Sequence, residues 1–473
     1  MSAQPPSREA SAASAQGYGG PTELAERSRA SLDVAQQSVQ SGVGSLSRAQ
    51  AVAIALEVNP HVRLSLEQIS ILEGRILEAR ADALPDVSWT TRVAHSRDPG
   101  LLNSPNFDRF PPEFRSVLSP LPANLFDTMA DFRQTLFSFK VGKALEAARL
   151  ARTAGQEELR RARQATALDA VRSYNQLLFA IEELRVAQST VDQKQRHLDF
   201  AQNRKAAGVA TELEVLRAQV DLENQRADLF RAETQVTAAR ATLNTVMLRP
   251  TNAPVQPTDT LAVVPIAVMF EDAVRDALAA RPELQTLRFT QQVRDRLVDV
   301  AAAETKPRID FDGGFGFSVR QPEKLFHYDF RRWIAGVTVT VPVFDGFRAA
   351  GRVAQARAER DAVTQQIAAL ENQIRLDVQS AWDALALGER TLRAADLNVS
   401  QARRAGEMTE ANYRLGAATP LDVVDAQQAL TQAENVRNQA LYTHSNARAT
   451  LRYVMGRDPL DDRPAAAGTV AGE

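Results

Sequence analysis

AVAIALEVNPHV at residues 51–62 returns as AVRDALAARPEL at residues 273–284, with Ala, Val, Ala, Leu and Pro matching at an offset of 222. Further matches follow in the same order: Pro85 with Pro307 at 222, Gly142 with Gly346 at 204, Gly208 with Gly416 at 208, and ATLNTVM (241–247) with ATLRYVM (449–455) at 208. Ordered self-similarity of this kind indicates a duplicated structural unit. We therefore predict two tandem repeats, at residues 46–250 and 268–458.

The changes in offset locate the differences between the two repeats. The fall from 222 to 204 gives the first repeat 18 additional residues, which we place in the Pro-, Asn- and Ser-rich loop at residues 97–122. The rise from 204 to 208 predicts that the second long helix is four residues longer, about one turn. Three prolines in residues 251–267 predict a linker, and composition predicts disorder at residues 1–45 and 459–473.

The composition excludes several classes of protein. The 56 Lys and Arg residues nearly balance the 58 Asp and Glu residues, so no basic field predicts a nucleic-acid partner. Because the chain has no cysteine, it has no disulfide, thiolate metal site or cysteine nucleophile. The five histidines lack metal-ligand spacing and no catalytic constellation is present, so we predict no enzyme, no metal site and no cofactor.

The sequence gives only indirect evidence for a membrane location or for export. The chain contains no run of 18 or more apolar residues, so no transmembrane helix is predicted. Residues 1–20 lack the apolar core of a secretory signal peptide. For an exported protein this leaves three explanations: the signal is missing from the sequence, the start is mis-assigned, or the prediction of export is wrong.

Two stretches of the second repeat predict a pair of β-strands. Residues 309–319 (IDFDGGFGFSV) and 333–343 (WIAGVTVTVPV) carry apolar side chains at alternate positions, and residues 87–93 and 132–139 are a weaker copy in the first repeat. Strands of about ten residues with this alternation are typical of a membrane-barrel hairpin, although a half-buried hairpin on a soluble core shows the same pattern. Trp89 and Trp333, near strand ends, fit either an interfacial aromatic girdle or core packing.

Long uninterrupted segments follow the strands. No proline occurs between Gly142 and Gly208 or between Gly346 and Gly416, which predicts two helices of roughly 100 Å at 1.5 Å per residue. The shorter helical segments match in length between repeats: 24 residues at 60–83 and 282–305, and 39 residues at 211–249 and 419–457. Two short helices stacked end to end would match one long helix, so each repeat can supply two parallel tracks of a helical wall.

Strand pairs that alternate with long helices in two copies resemble the TolC-like outer-membrane efflux proteins. The resemblance is carried by the strand-exit motifs FSFKVG (137–142) and VPVFDG (341–346) and by the helix-turn motifs around Gly208 and Gly416. It implies an α+β membrane protein in which three protomers close a twelve-stranded β-barrel that continues into a twelve-helix α-helical barrel. Closure is also required physically, because four strands cannot face lipid with two open edges.

The resemblance further implies a passive exit duct of a tripartite efflux or type I secretion system, gated at its periplasmic helical tip. The homotrimer would lie in outer-membrane lipid, extend into the periplasm and work with a periplasmic adaptor protein and an inner-membrane transporter that supplies the energy. The residues themselves leave an alternative, a soluble or periplasmic coiled-coil scaffold or adaptor. The helical content favours that alternative, and the two hairpins of membrane type disfavour it.

The motif with the most chemical content is YRLGAATPLDVVD at residues 413–425. The resemblance places this turn at the periplasmic tip, where Asp422 and Asp425 would line a closed constriction and three copies would assemble six carboxylates. Such a ring favours cations and repels anions. Capping explains Asp422 equally well, because Thr419, Pro420 and Asp422 also form a capping-box pattern, and an exposed helix surface is the alternative for Asp425.

Two further residues complete the candidate gate. Tyr413 matches a family tyrosine that helps to hold the tip closed through polar contacts, although packing at a helix end would also account for it. Glu214 occupies the position of Asp422 in the first repeat and is the candidate partner of Tyr413, with helix capping as the simpler explanation. Gly208 and Gly416 mark the two tip turns.

Overall fold

A computed structural model of the chain describes residues 45–96, 109–113, 123–263 and 268–460. The disorder predicted at residues 1–45 and 459–473 therefore falls almost entirely outside the described residues. Most of the predicted loop at residues 97–122 and the last part of the predicted linker at residues 251–267 also lie outside them.

The α-helices occur in the same order in both repeats. In chain order they are α1 (Arg48–Val58), α2 (Pro60–Ala81), α3 (Phe139–Ala206), α4 (Glu212–Val246), α5 (Phe270–Ala280), α6 (Pro282–Ala303), α7 (Arg348–Arg414) and α8 (Pro420–Val454). The first four have 11, 22, 68 and 35 residues, and the last four have 11, 22, 67 and 35. Among the described residues, no helix has both the length and the apolar character needed to cross a membrane. The helices of the two predicted repeats thus share one order and nearly the same lengths.

The prediction that the second long helix would be four residues longer is wrong. In the first repeat the strand passes directly into α3 at Phe139, so that Gly142 lies inside the helix. In the second repeat residues 341–347 form an irregular junction, in which Gly346 (φ 68°) and Phe347 (φ 65°) are left-handed, and α7 begins only at Arg348. The change in offset therefore moves the motif glycine out of the helix and leaves the length of the helix almost unchanged.

The described residues divide between two compact units, and each unit contains segments of both repeats. One unit comprises residues 45–64, 160–281 and 373–460, and the other comprises residues 65–159 and 282–372. Neither repeat forms a compact unit by itself, because each long helix contributes residues to both units.

The second of these units contains a four-stranded antiparallel sheet. Its strands are β1 (Asp86–Ser96), β2 (Ala123–Ser138), β3 (Arg308–Val319) and β4 (Arg331–Thr340), paired in chain order. The pairs β1–β2 and β3–β4 are the two predicted hairpins, and pairing between β2 and β3 joins them. Val341 and Val343, which the alternation included, lie beyond the end of β4.

One face of this sheet is apolar and largely exposed. Residues directly opposite one another in antiparallel strands share a face, and the register places Phe311 opposite Val337 and Phe315 opposite Trp333. Val337 is 60% exposed, Trp333 is 70% exposed and Trp89 on β1 is 63% exposed. Core packing among the described residues is therefore the wrong explanation for both tryptophans.

The opposite face of the sheet is polar and hydrogen-bonded. Arg133 of β2 donates to the carboxylate of Asp312 on β3 at 3.2 Å, and Thr135 donates to Asp310 at 3.1 Å. Thr338 of β4 also donates to Asp312, at 3.4 Å. The sheet thus separates an exposed apolar surface from a surface of charged and hydroxyl side chains.

In the other unit a buried cluster attaches the predicted linker to α3. Ser45–Leu46 forms a short parallel bridge with Gln256–Pro257 of that linker. Tyr174 of α3 is fully buried and donates its hydroxyl to the carbonyl of Leu46 at 2.8 Å. Leu177, Leu243, Met247 and Val255 pack into the same cluster. The described part of the linker is therefore anchored at one point along its length.

His444 of α8 is a fully buried titratable group in the same unit. Its residue is 0% exposed, and neither ring nitrogen has a hydrogen-bond partner among the described residues. Gly388 of α7 lies so close that a Cβ there would be 3.3 Å from the His444 Cα. Burial lowers the pKa of the imidazole; the nearby Glu389 opposes this shift, and Arg448 adds to it.

We predict that acid destabilises the fold through His444. Because the pKa of His444 is lower in the folded chain than in the unfolded chain, the unfolded chain binds the proton first. Stability is therefore full above the unfolded value of about 6.5 and falls as the pH drops below it. The loss in unfolding temperature between pH 7.5 and 5.5 should be smaller by roughly 2 °C in His444→Leu than in the wild type.

Thermal unfolding of the detergent-solubilised protein at both pH values measures this difference. His327→Gln is the control, since the His327 side chain is 62% exposed. Equal pH dependence in the wild type and in His444→Leu would contradict the assignment to His444.

Candidate functional site

Each long helix ends in a glycine turn at a matching position. Gly208 (φ 76°) and Gly416 (φ 78°) have the left-handed conformation that glycine adopts without the cost of a Cβ. The residue after each glycine donates its N–H to the carbonyl five positions earlier, at 3.0 Å and 2.8 Å, and each glycine donates to the carbonyl three positions earlier, at 2.9 Å and 3.0 Å. These two bonds form a Schellman motif, which satisfies the last carbonyls of the helix.

Thr419 and Asp422 form a capping box at the start of α8. The Thr419 hydroxyl accepts from the N–H of Asp422 at 3.3 Å, and the Asp422 carboxylate accepts from the N–H of Thr419 at 2.7 Å. Hydrogen bonds from the Thr419 hydroxyl and N–H lower the pKa of Asp422. The capping explanation of Asp422 is therefore confirmed, and its carboxylate remains exposed and charged at neutral pH.

The first turn contains only half of this box. The Thr211 hydroxyl accepts from the N–H of Glu214 at 3.3 Å, so Thr211 caps α4. The Glu214 carboxylate returns no bond to Thr211, and its side chain has no hydrogen-bond or ion-pair partner among the described residues. Capping thus accounts for the backbone of Glu214 and leaves its half-buried carboxylate unexplained.

Asp425 lies three residues after Asp422 and shares its helix face. Its side chain is exposed, and it makes no hydrogen bond or ion pair with the part of the chain that the structure describes. Either an exposed helix surface or a pore wall accommodates this geometry, so the predicted role of Asp425 stays a prediction.

Tyr413 contacts the first repeat through a residue that the sequence reasoning missed. Arg204, four residues before Gly208, donates from Nη1 to the Tyr413 hydroxyl at 3.0 Å. The Phe200 ring lies 5.7 Å from the Tyr413 ring in an edge-on arrangement. Among the described residues of one chain, Arg204 is therefore the hydrogen-bond partner of Tyr413, and no bond joins Tyr413 to Glu214.

A signal for Phe200 and Arg204 was present in the sequence. At positions i and i+4 they share one face of the last turns of α3, immediately before the turn glycine. The repeat alignment concealed this signal, because the residue that matches Arg204 is Asn412 and the duplication supplies no second arginine.

The two turns also differ in charge. In the first turn Lys205 forms an ion pair with Glu212. In the second turn the carboxylates of Asp422 and Asp425 are exposed and have no basic partner among the described residues. No group of His, Asp and Glu in the described ranges could hold a metal ion. The second turn therefore presents two exposed carboxylates.

Comparison with known proteins agrees with this architecture. The model of a protein family described as "Outer membrane efflux protein" matches residues 51–247 and 273–457, which are most of both repeats. The chain belongs to the outer membrane efflux protein family. This membership confirms the predicted outer-membrane location and the role of an exit duct, and the comparisons give no support to the alternative of a soluble scaffold.

Individual relatives of this efflux protein span most of its length. The outer membrane protein OprJ of Pseudomonas aeruginosa is 25% identical over 391 residues, which cover 80% of the present chain and 77% of OprJ. The alkaline protease secretion protein AprF of the same organism is 26% identical over 325 residues, 67% of each chain. Among solved structures, the CmeC outer membrane channel of Campylobacter jejuni superposes with a TM-score of 0.73 at 16% identity, covering 88% of this chain and 87% of CmeC.

We predict that Thr419→Ala loosens the first turn of α8. Loss of an N-cap hydroxyl costs about 1 kcal/mol, so amide exchange in residues 421–423 should accelerate about fivefold. Peptide-level hydrogen exchange of the folded protein measures this rate. Thr391→Ala, which changes an exposed position of α7, is the matched control, and equal protection in both variants would contradict the capping assignment.

Proposed function

We propose that three copies of this efflux protein close into a continuous duct through which cargo crosses the outer membrane without chemical change. The observation that carries the proposal is the four-stranded sheet, which has an exposed apolar face and two edges without a partner strand among the described residues. The family supplies the outer-membrane setting. The trimer, the barrel and the gate are parts of the proposal.

The edges support closure by identical copies. Strands β1 and β4 are each paired on one side only within the described ranges. An open edge exposes unpaired N–H and C=O groups, and each such group in hydrocarbon costs several kcal/mol. If β4 of one copy pairs with β1 of the next, three copies supply twelve strands and no edge remains.

The difference between the apolar and polar faces of the sheet supports one orientation of the closed barrel. The apolar face, which carries Trp333 and Val337, would contact lipid. The polar face, which carries the Arg133–Asp312 ion pair, would line a water-filled interior. The reverse arrangement would put charged side chains into hydrocarbon, where an Arg or Lys at the midplane costs about 2–4 kcal/mol.

The lengths of the helices support a tunnel wall built from parallel helical tracks. Besides an 11-residue helix, each repeat has one long helix and two shorter helices of 22 and 35 residues. With the shorter helices stacked end to end, each repeat would supply two tracks, each chain four, and the trimer twelve. This arrangement gives an α-helical barrel continuous with the β-barrel.

The tip turns would form the gate at the periplasmic end of the duct. Three copies would place six carboxylates from Asp422 and Asp425 around one constriction, which favours cations over anions. Tyr413 and Glu214 would lie beside this ring, and the turns at Gly208 and Gly416 would be the segments that move. A periplasmic adaptor and an inner-membrane transporter would open the gate and supply the energy.

The class of cargo depends on the partner transporter. AprF is by name a protein of alkaline protease secretion, whereas the matching family model is described by efflux. Both activities use an exit duct of the same fold, so we propose an efflux or type I secretion system and no particular cargo.

We predict that Val337→Arg prevents assembly in the outer membrane and that Thr338→Arg does not. The two residues are neighbours on β4 and point to opposite faces, opposite Phe311 and Asp310 respectively. An arginine on the lipid face costs about 2–4 kcal/mol, and one on the interior face remains in water. Membrane fractionation and the yield of assembled trimer measure the outcome, and equal yields from the two variants would contradict the assigned orientation.

We also predict that Asp425→Ala weakens the block of the pore by multivalent cations more than Glu214→Ala does. Asp425 contributes an exposed charge to the proposed ring, whereas Glu214 belongs to the other turn. The blocking concentration for Asp425→Ala should rise on the order of tenfold, the effect of about 1.4 kcal/mol in binding. Single-channel recording gives this concentration, and equal effects of the two substitutions would remove Asp425 from the constriction.

A further inference from the structure

The apolar face of the sheet ends in an arginine. Phe317 of β3 lies directly opposite Arg331 of β4, and the next pair on the same face is Phe315 and Trp333. The Arg331 side chain is exposed, and it has no hydrogen-bond or ion-pair partner among the described residues. On a face that contacts lipid, this charge requires an anion from outside the chain.

The place of Arg331 along the strand fits a membrane boundary. Arg331 is the first residue of β4, at the end remote from α7, and Val337 follows six residues later, about 20 Å along an extended strand. An arginine on the lipid face is costly at the midplane and nearly neutral at the interface. Lipid phosphates also lie at the interface, so the guanidinium and the phosphates share one depth.

The ring of Tyr328, in the turn before β4, orients this guanidinium. The Arg331 Cζ lies 3.6 Å from the centre of the Tyr328 ring. An aromatic ring attracts and orients a guanidinium without neutralising its charge. The N–H donors therefore remain available to an anion, and a phosphate can accept two of them at once.

Phe326 packs the same turn against the apolar face. Its backbone is left-handed (φ 72°), which is rare for a bulky residue and indicates strain. The Phe326 ring lies 5.3 Å from the Phe317 ring in an edge-on arrangement. Phe326 and Tyr328 nevertheless remain 62% and 66% exposed. The turn thus presents two aromatic rings beside Arg331, and aromatic side chains are typical of a membrane interface.

The charge of the connection between β3 and β4 favours an anionic partner. Residues 320–332 contain four basic side chains and two acidic ones: Arg320, Lys324, Arg331 and Arg332 against Glu323 and Asp329. The Asp329 carboxylate lies 3.4 Å from Nδ1 of His327. A basic cluster at a membrane surface attracts anionic lipid headgroups.

We propose that Arg331 binds the phosphate of an anionic lipid headgroup, with the ring of Tyr328 as its platform. We call Phe326, Tyr328 and Arg331 the headgroup site. The inference rests on the proposed function, because it requires the apolar face to contact lipid. The site is continuous with that face, so the acyl chains of the bound lipid would pack beside Phe317 and Trp333. A free phosphate would gain no such contact.

Quenching of tryptophan fluorescence by brominated lipids tests the site. Trp333 lies two residues from Arg331 on the same face, and the double substitution Trp89→Phe/Trp382→Phe leaves it as the only tryptophan. The full-length protein is inserted into vesicles of phosphatidylcholine and phosphatidylglycerol, with bromine on one lipid or the other. Phosphatidylglycerol should be enriched about fivefold beside Trp333, since a basic residue gains about 1 kcal/mol near an anionic surface.

The matched control is Arg332→Gln. Arg332 lies opposite Gly316 on the polar face of the sheet and is exposed. Arg331→Gln removes the same charge from the apolar face and should abolish the enrichment, whereas Arg332→Gln should preserve it. Tyr328→Leu should lower the enrichment because the platform is lost, and Tyr328→Phe, which keeps an aromatic ring, should not.

The outcomes separate the headgroup site from the duct. Quenching of Trp333 with equal enrichment in Arg331→Gln and Arg332→Gln would overturn the site and leave the orientation of the sheet intact. Loss of the enrichment when inorganic phosphate is added would also overturn it, because the ligand would then be a free anion. A folded protein whose Trp333 is quenched by neither lipid would overturn the orientation and the site together. If Arg331→Gln fails to insert, equal enrichment in Tyr328→Leu and Tyr328→Phe overturns the site.

Discussion

Four β-strands with an apolar face and two unpaired edges are unstable alone, because water disfavours the face and lipid disfavours the edges. This constraint determines how the rest of the molecule must be used. An apolar face at which Trp333 is 70% exposed and Val337 is 60% exposed needs hydrocarbon against it. Edges in hydrocarbon need partner strands, and identical copies are the simplest source of them. The proposed oligomer therefore follows from the constraint on the sheet.

Local backbone chemistry determines the turns at which the two long helices end. Each ends in the same Schellman turn, because glycine alone adopts the left-handed conformation there without cost. The turns then diverge through a few side chains: the second has a complete capping box and two exposed carboxylates, and the first contributes the arginine that reaches across. The two predicted repeats thus share the backbone of the turn and differ in the side chains of the candidate gate.

Much of the fold could be predicted from sequence because its signals are local and repeated. The spacing of proline and glycine predicted the order of the helices, and the alternation of apolar and polar residues predicted the strands. The length of the second long helix could not be predicted, because sequence does not distinguish Gly142, which is helical, from Gly346, which is left-handed at φ 68°. At the site, the two residues of the capping box, Thr419 and Asp422, are only three positions apart, so the sequence predicted it. The bond from Arg204 to Tyr413 joins positions 209 residues apart, and the i, i+4 spacing of Phe200 and Arg204 marks a helix face without indicating its partner.

The most direct test of the central claim is to determine the mass and the single-channel conductance of one detergent-purified preparation. Each chain has a mass of 51.8 kDa. The account predicts an assembly of three chains, with three times this mass. The same preparation should insert into a planar bilayer and form a cation-preferring pore of low conductance. A folded, water-soluble protein that forms no pore would contradict the account, since its apolar sheet face would then require a different cover.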